Sequence, residues 1–166
     1  LLLIWPVPQS INASGPELPL AQKFMLSTAV DVPILTQAIY RYQTYIHNNI
    51  DTRLRSALSP GLGGKGLKNQ AAALSTCTVA ARSRSAELRY DTDYSYSLRV
   101  SDGNCSIAAE TIFGAMYGLE SLSQLAMSGS LVHDTIAVQD APSYSHRGLM
   151  IDSGRRFWPV DLVKMT

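Results

Sequence analysis

The most regular pattern in the chain is a strict alternation of apolar and polar residues between positions 94 and 101. Its apolar members are Tyr94, Tyr96, Leu98 and Val100. A period of two predicts a β-strand with one buried face and one solvated face. Asp102-Gly103 follows at once and suits a tight turn, because both residues tolerate positive φ. The run around Ile107 is therefore predicted to fold back antiparallel to this strand.

Four further strands are predicted from weaker patterns, at residues 4–11, 17–27, 73–81 and 131–138. The first contains Pro6 and Pro8, and proline is tolerated in a sheet at an edge or at the start of a strand. We therefore expect residues 4–11 to form an edge strand. Residues 17–27 are expected to pair beside it, after a turn at Ser14-Gly15-Pro16.

Two amphipathic helices are predicted. In the first, Asp31 is the expected N-cap and Pro33 lies in the first turn. The apolar stripe of this helix, at helical spacing, consists of Leu35, Ile39, Tyr42, Ile46 and Leu54. The stripe of the second helix consists of Ile112, Met116, Leu119, Leu122 and Ala126. Gly129 is placed to end the second helix.

Gly114 and Gly118 lie one turn apart in the second predicted helix. Glycine weakens an isolated helix, so a pair of glycines on one face indicates that another element packs closely there. We expect that element to be the sheet.

A glycine-rich segment, residues 59–66, follows the first helix and contains Lys65. Glycines around a lysine also occur in phosphate-binding loops. Here the spacing differs, and no Ser or Thr follows the lysine to reach a magnesium ion. We therefore interpret the segment as a flexible connection.

The pattern changes near residue 140. Residues 139–144, which include Pro142, are predicted to link two units. Residues 146–152 form a nearly continuous apolar run with charged ends, which is typical of a strand covered on both faces, as in a parallel barrel. Pro159 then begins a helix-like run over residues 160–165. A lone β-α pair cannot bury its own apolar surfaces, so we expect further barrel units on its carboxyl side.

Composition limits the class of partner. The chain has 166 residues, of which 46% are hydrophobic, enough for one core. Its 14 basic and 13 acidic residues leave a formal charge of +1, so no net field attracts nucleic acid or an anionic membrane. The apolar opening Leu1-Leu2-Leu3-Ile4 is far shorter than the roughly 20 residues of a membrane span. It has no initiating Met, and we expect that the natural start is missing.

Two cysteines, Cys77 and Cys105, are compatible with one disulfide and equally with two unpaired, partly buried thiols. Two glycosylation sequons, at Asn12 and Asn104, favour the secretory pathway. No metal-ligand spacing is found, and neither a metal nor a cofactor is expected. His146 has no nucleophile or orienting carboxylate at readable spacing, which disfavours it as a general base.

Three segments carry a family resemblance. The opening is Ile4-Trp5-Pro6-Val7-Pro8-Gln9-Ser10, the middle segment runs over residues 96–125, and the last begins Ser145-His146-Arg147-Gly148-Leu149-Met150-Ile151-Asp152 and continues to Val160. In this order they resemble the eukaryotic family 20 β-N-acetylhexosaminidases. The first two segments are similar to parts of the amino-terminal domain of that family. The last is similar to the first strand of its catalytic barrel and the turn that follows.

The resemblance implies a fold and two domains. It implies an α+β domain over residues 1–140, in which an antiparallel sheet is covered on one face by two helices. Residues 141–166 would then be the first β-α unit of a truncated (β/α)8 barrel.

The resemblance also implies an exo-acting enzyme that removes terminal β-linked N-acetylglucosamine or N-acetylgalactosamine with retention. In this substrate-assisted chemistry the acetamido oxygen of the substrate attacks the anomeric carbon, a Glu protonates the leaving oxygen, and the preceding Asp steadies the acetamido group. No Asp-Glu dipeptide occurs in the 166 residues. The chain by itself is therefore expected to be inactive.

One substrate contact carries over by resemblance. Arg147 corresponds to the family's arginine that donates hydrogen bonds to hydroxyls of the terminal sugar, a role suited to a planar guanidinium. The alternative is a structural arginine that satisfies linker carbonyls at a domain junction. Asp152 is expected to position Arg155 or Arg156 without contacting the substrate itself.

The expected partners are glycans that end in N-acetylhexosamine and the catalytic barrel. A homodimer of the full enzyme is a further possibility. The expected location is the lysosome, the vacuole or the cell exterior. Two alternatives remain: a stand-alone glycan-binding or scaffold module, and an unrelated α+β interaction domain.

Overall fold

The computed structural model describes residues 4–58, 73–148 and 150–164, with side chains for all of these except 51–58 and 164. Its elements are β1 (Ser10–Ser14), β2 (Leu18–Thr28), α1 (Pro33–Leu58), β3 (Leu74–Ala81), β4 (Tyr96–Ser101), β5 (Asn104–Ala109), α2 (Ile112–Leu125), β6 (Ala126–Met127), β7 (Ser130–Leu131), β8 (Thr135–Asp140) and α3 (Val160–Lys164). The predicted glycine-rich connection at 59–66 and the side chain of Leu54 lie outside what is described.

The eight strands form one sheet in the order β1-β8-β4-β5-β3-β2-β7-β6. The prediction of a purely antiparallel sheet is wrong, because β3 runs parallel to both β2 and β5. The physical reason lies in the connections. The helix α1 carries the chain from the end of β2 back to the start of β3, and such a crossover produces parallel neighbours. Hydrophobic periodicity predicts strands without giving their direction.

The predicted edge strand is shorter and pairs differently than expected. β1 begins only at Ser10, beyond Pro6 and Pro8, which have no N–H to give to a ladder. It lies at one edge of the sheet, as predicted, but pairs antiparallel with β8 and not with β2. The strand predicted at 17–27 is present as β2, near the opposite edge. The predicted pairing of the first strand with the second is therefore wrong.

The hairpin prediction is confirmed. β4 and β5 pair antiparallel with Leu98 opposite Ile107. Asp102 and Gly103 both have positive φ, 51° and 72°, as a two-residue turn between twisted strands requires. The strand predicted at 73–81 is also present, as β3.

The core lies between the sheet and the two long helices. α1 packs against β2, α2 packs against β3, β4 and β5, and the helices contact each other. The fully buried side chains include Phe24, Leu35, Ile46, Leu98, Ile107, Leu119 and Leu122, and each contributes about 1.5–3 kcal/mol. Arg99 and Ser106 on the opposite face of the sheet are exposed. The predicted two-helix cover on one face of an α+β domain is thus observed.

The helix boundaries differ from the prediction in two places. α1 begins at Pro33, and the residue before it, Val32, accepts the amides of Leu35 and Thr36 through its carbonyl. The predicted N-cap Asp31 therefore stands one residue too early. α2 ends at Leu125, and Gly129 (φ 76°) lies instead in the turn between β6 and β7. Glycine with positive φ serves tight turns as well as helix ends, so the sequence signal was ambiguous.

The close approach predicted at the two helical glycines is confirmed. A Cβ added to Gly114 would lie 2.4 Å from the backbone oxygen of Ser95, and one added to Gly118 would lie 2.5 Å from a methyl group of Ile107. Both neighbours belong to the sheet or to the segment entering β4. The absence of side chains at these two positions lets α2 settle directly onto the strands.

The carboxyl-terminal part departs from the prediction. The strand expected at 131–138 is divided into β7 and β8. The described residues between 146 and 152 contain no strand, so the predicted barrel strand is not confirmed. A parallel strand exists only through hydrogen bonds to neighbours, and no described segment lies alongside it. The helix-like run after Pro159 is present as α3.

None of the described helices is both long enough and apolar enough to cross a bilayer.

Candidate functional site

Arg147, the residue predicted to bind substrate, lies against three tyrosines. Its guanidinium carbon is 4.6 Å from the ring centroid of Tyr94 and 5.4 Å from that of Tyr117. Nη2 donates to the Tyr117 hydroxyl at 3.0 Å, and Nη1 donates to the carbonyl of Tyr144. The carbonyl contact is the one expected of a structural arginine at a junction. Arg147 thus joins residues 144–147 to the amino-terminal α+β domain.

The start of α2 brings the rings of Tyr94 and Tyr117 together. Thr111 caps this helix by accepting the amide of Gly114 at 3.1 Å, and its hydroxyl donates to the carbonyl of Asp93 at 2.5 Å. This hydroxyl therefore ties the helix to the segment that enters β4. Tyr94 and Tyr117 consequently meet edge to face, with ring centroids 5.6 Å apart.

A cavity of about 220 Å³ opens beside Arg147. Its walls include Tyr90, Asp91, Asp93, Tyr94 and Tyr144. Tyr90 and Tyr144 are about four-fifths exposed. Flat aromatic faces next to carboxylates and a guanidinium can offer both apolar contact and hydrogen bonds to a hydroxylated ligand.

A larger groove, about 640 Å³, lies on the outer face of the sheet. It is lined mainly by short side chains such as Ala80, Ser97 and Ala108. Its arginine, Arg82, lies 3.5 Å from Glu110, and both side chains are largely exposed. Asp93, Glu110 and Asp140 add carboxylates to its lining, and Ser95 and Ser97 add hydroxyls. The Ser97 hydroxyl donates to the carbonyl of Ala108 at 3.5 Å and not to a carboxylate, so it is not activated as a nucleophile.

Asp152 lies next to one of the two arginines that it was predicted to position. Its Oδ2 is 3.2 Å from Nε of Arg155, and its Oδ1 accepts the amide of Gly154 at 2.9 Å. Both side chains are substantially exposed, and such pairs contribute little to stability. Asp152 therefore shapes the turn at 152–155, and the structure does not bring it to Arg147.

Cys77 and Cys105 form a disulfide, with Cα atoms 4.5 Å apart. They lie on the neighbouring parallel strands β3 and β5, and both are buried in the core. The two sequon asparagines, Asn12 on β1 and Asn104 at the start of β5, are exposed. Their side chains are accessible to a modifying enzyme or a glycan.

The histidines do not assemble into a reactive group. His47 lies 2.8 Å from the carbonyl oxygen of Phe24, and His133 lies 2.7 Å from that of Gly15. His146 is exposed. The described residues contain no group of three or more His, Cys, Asp or Glu side chains that could hold a metal ion.

Sequence reasoning missed the aromatic partners of Arg147. Tyr94 was read as the first buried position of a strand, but β4 begins at Tyr96. Tyr117 stands off the predicted apolar stripe of α2 and is 39% exposed. An aromatic residue on the polar face of a helix was the available signal, because exposed aromatic rings often have a contact to make.

A sequence model of a family described as beta-acetyl hexosaminidase like matches residues 4–125. The chain belongs to this family. The family 20 resemblance drawn from the sequence is thereby confirmed, and this hexosaminidase-like domain is the amino-terminal domain of a family 20 glycoside hydrolase.

Individual relatives agree with the assignment. Beta-hexosaminidase subunit B2 of Dictyostelium discoideum is 27% identical over 174 residues, which cover 99% of this chain and 28% of the relative. Beta-hexosaminidase 1 of Arabidopsis thaliana is 34% identical over 104 residues, covering 55% of this chain and 19% of the relative. The hexosaminidase-like chain therefore spans less than a third of the length of these relatives.

A solved structure shares the fold. The chitobiase of Flavobacterium johnsoniae superposes with a TM-score of 0.70 at 24% sequence identity, covering 98% of this chain and 24% of that one. The chain thus has the same arrangement of sheet and helices as part of a larger glycosidase.

Proposed function

We propose that the chain is part of an exo-acting β-N-acetylhexosaminidase that hydrolyses terminal, non-reducing N-acetylglucosamine or N-acetylgalactosamine from glycoconjugates. The observation that carries the proposal is the family match over residues 4–125. The resemblance of residues 145–160 to the first barrel strand supports it. In this proposal residues 1–140 are the non-catalytic domain and residues 141–166 begin the catalytic (β/α)8 barrel.

The proposed reaction is substrate-assisted and retaining. The acetamido oxygen of the substrate forms a bond to the anomeric carbon while the bond to the leaving oxygen breaks. A Glu gives its proton to that oxygen, and the Asp before it holds the acetamido group. The 166 residues contain no adjacent Asp-Glu pair, so we expect the chain to need the rest of a barrel for activity.

Arg147 is the residue of this chain that we propose to touch substrate. Its guanidinium carries donors in a fixed plane, which suits two neighbouring sugar hydroxyls. Two of its nitrogens now donate to Tyr117 and Tyr144. Asp152 is proposed to support the site indirectly, by holding Arg155 in the turn at residues 152–155.

The proposed partners are glycans that end in N-acetylhexosamine and the catalytic barrel, with a homodimer of the full enzyme as a further proposal. The proposed location is the secretory pathway, ending in a lysosome, a vacuole or the cell exterior. A disulfide and two exposed sequon asparagines support that location, because disulfides persist in oxidising compartments.

The deciding experiment is complementation. The chain is co-expressed with a catalytic barrel from a family member that lacks its own amino-terminal domain and first strand, and hydrolysis of a chromogenic N-acetyl-β-glucosaminide is measured. We expect no turnover from either part alone and turnover from the pair. No association between the two parts would contradict the proposal.

The role of Arg147 is tested in the same pair. Arg147→Ala should lower kcat/KM by a factor corresponding to about 1–3 kcal/mol, because a hydrogen-bonding group in the pocket loses its partner. Arg99→Ala, which removes an exposed arginine on the outer face of the sheet, serves as the control. An unchanged kcat/KM for Arg147→Ala would remove this residue from the substrate site.

A second candidate, a stand-alone glycan-binding module, is favoured by the cavity walled by Tyr90 and Tyr144. It predicts that the isolated chain, without a barrel, binds N-acetylglucosamine with an affinity that Tyr90→Ala weakens. Isothermal titration with the free sugar distinguishes the two candidates.

A further inference from the structure

One of the two sequons shares its middle residue with the disulfide. The sequon Asn104-Cys105-Ser106 opens β5, and Cys105 is bonded to Cys77 on β3. The neighbouring pair on the same two strands, Ser106 opposite Thr78, is part of the parallel ladder. The disulfide therefore fixes the centre of the sequon to an adjacent strand.

The sequon is also held from the other side. Asn104 pairs with Ser101, and Cys105 pairs with Val100, in the antiparallel ladder with β4. The acceptor nitrogen, Nδ2 of Asn104, donates to the carbonyl of Asp102 at 3.2 Å. In the folded domain the three sequon residues are therefore extended within β5, and β5 lies between its two partner strands, β3 and β4.

The side chains of Asn104 and Cys105 point to opposite faces of the sheet. Asn104 is exposed, whereas Cys105 is only 6% exposed and lies in the core. A glycan on Asn104 would therefore project into solvent without disturbing the disulfide. The glycan and the disulfide can therefore coexist in the folded domain. One can hinder the other only while they are being formed, so the order of formation matters.

Each modification is a defined chemical step. In glycosylation, Nδ2 of Asn104 forms a bond to the anomeric carbon of a lipid-diphosphate-linked oligosaccharide, the lipid diphosphate leaves, and the amide loses one proton. In disulfide formation, the two thiols lose two protons and two electrons to a protein disulfide of the secretory pathway, which is reduced to a dithiol. The transferase must bend the sequon so that the Ser106 hydroxyl approaches the asparagine amide, which requires a free chain.

We propose that pairing of Cys77 with Cys105 closes the Asn104 sequon, so that glycosylation and disulfide formation compete for this site. The glycan is added before the disulfide forms or it is not added. The fraction of chains glycosylated at Asn104 then depends on how fast Cys105 is oxidised. The inference rests on the proposed passage through the secretory pathway and is independent of catalytic activity.

The second sequon is a control built into the chain. Asn12 lies on the edge strand β1, its middle residue is Ala13, and its side chain is exposed. No cysteine lies within this sequon, so its occupancy should not depend on thiol oxidation.

The test expresses the full chain behind a signal peptide in a eukaryotic secretory host and measures the glycosylated fraction at each asparagine by mass spectrometry. Cys77→Ser leaves both sequons intact and removes the partner of Cys105. We expect the occupied fraction at Asn104 to rise and that at Asn12 to stay unchanged. Equal occupancy of Asn104 with and without Cys77 would overturn the proposal. So would an equal rise at both asparagines, since general misfolding of the variant would produce it.

A second measurement avoids any folding defect of the variant. A brief treatment of living cells with dithiothreitol delays thiol oxidation in the unaltered chain. We expect it to raise Asn104 occupancy in that chain and to have no effect on Asn104 in Cys77→Ser. An unresponsive Asn104 in the unaltered chain would contradict competition. Hexosaminidase activity is not part of either readout, so failure of the proposed enzyme function is seen separately.

Discussion

The hydroxyl of Tyr42 on α1 donates a 2.8 Å hydrogen bond to Oε2 of Glu120 on α2, and so joins the two helices. Glu120 also accepts Nε2 of Gln124 at 2.9 Å, and Gln124 bonds both the amide and the carbonyl of Trp5. Burial of the phenol, with the hydrogen bond and the negative charge of Glu120, raises the pKa of Tyr42 to about 12. The nearby Arg41 opposes this shift.

The raised pKa predicts a loss of stability in alkali. An unfolded tyrosine ionises near pH 10, whereas folded Tyr42 keeps its proton up to about pH 12. The contribution of the neutral phenol is therefore fully present below about pH 10 and is lost as the pH rises towards 12. The free energy of unfolding, measured in urea across this pH range, should fall as the pH rises. Tyr42→Phe should make this fall smaller.

A second tyrosine and a control variant bear on the alkaline unfolding experiment. Burial also raises the pKa of Tyr96, so Tyr42→Phe should keep part of the pH dependence. Tyr45→Phe is the matched control, because Tyr45 lies on the same helix but is 52% exposed. Identical pH profiles for Tyr42→Phe and the unaltered chain would contradict the assignment.

The close packing of α2 predicts an unusual response to alanine. Gly114→Ala places a Cβ against the backbone oxygen of Ser95, which cannot move aside, and should lower the free energy of unfolding by about 1–3 kcal/mol. Gly118→Ala meets the Cγ2 methyl of Ile107 at 2.5 Å and the ring of Tyr96 at 3.2 Å, and both side chains are buried, so it should also destabilise the fold. Chemical denaturation of both variants tests these losses. A stabilised Gly114→Ala, as helix propensity alone would give, would be inconsistent with this packing.

Gln43 on α1 serves as a partner for the backbone of β2. Its Oε1 accepts the amide of Leu26 at 2.6 Å, and its Nε2 donates to the carbonyl of Phe24 at 2.7 Å. Within the described chain, β7 pairs with β2 only at residues 18 and 19. The side-chain amide of Gln43 therefore satisfies backbone groups on this open edge of the sheet.

Removing the side-chain amide of Gln43 should lower the stability of the fold. Gln43→Ala leaves the partly buried amide of Leu26 without its partner, while the carbonyl of Phe24 still lies 2.8 Å from Nε2 of His47. The loss should destabilise the fold by about 1–3 kcal/mol. Thr44→Ala is the control, since the Thr44 hydroxyl bonds only the carbonyl of Tyr40 within its own helix at an exposed site. Thermal unfolding should separate the two variants, and equal melting temperatures would refute the role given to Gln43.

Arg147 should matter little for the stability of this chain. Its contacts with Tyr94 and Tyr117 lie at an exposed site, where a cation–π pair contributes about 0.5–1 kcal/mol. Arg147→Ala should thus change the free energy of unfolding by no more than about 1 kcal/mol. A much larger loss in urea denaturation would identify Arg147 as a structural clamp and weaken its proposed role at the substrate.

Local chemistry made much of the fold predictable. The period-two run before Asp102 and the turn that follows predicted a hairpin, which is present with Leu98 opposite Ile107. The stripe of α2 and its two glycines predicted a helix pressed onto strands. These signals succeed because each depends on residues close together in the chain, whose spacing sets which side chains share a face.

The candidate site was predictable only in part. Arg147 was singled out because the residues around it resemble a known family, whereas its neighbours Tyr94 and Tyr117 lie 53 and 30 positions away in the chain. No local pattern links such distant residues. Their meeting depends on the hydroxyl of Thr111, which ties the start of α2 to Asp93.

The sequence by itself determined the two long helices and most of the strands, which of their faces are apolar, and to which family the chain belongs. The tertiary structure alone decided that β3 runs parallel to β2 and β5, that β1 pairs with β8, and that Cys77 meets Cys105. The physical reason is that side-chain periodicity records burial along one element. Strand order and direction depend on how distant elements share one core, which no single segment encodes.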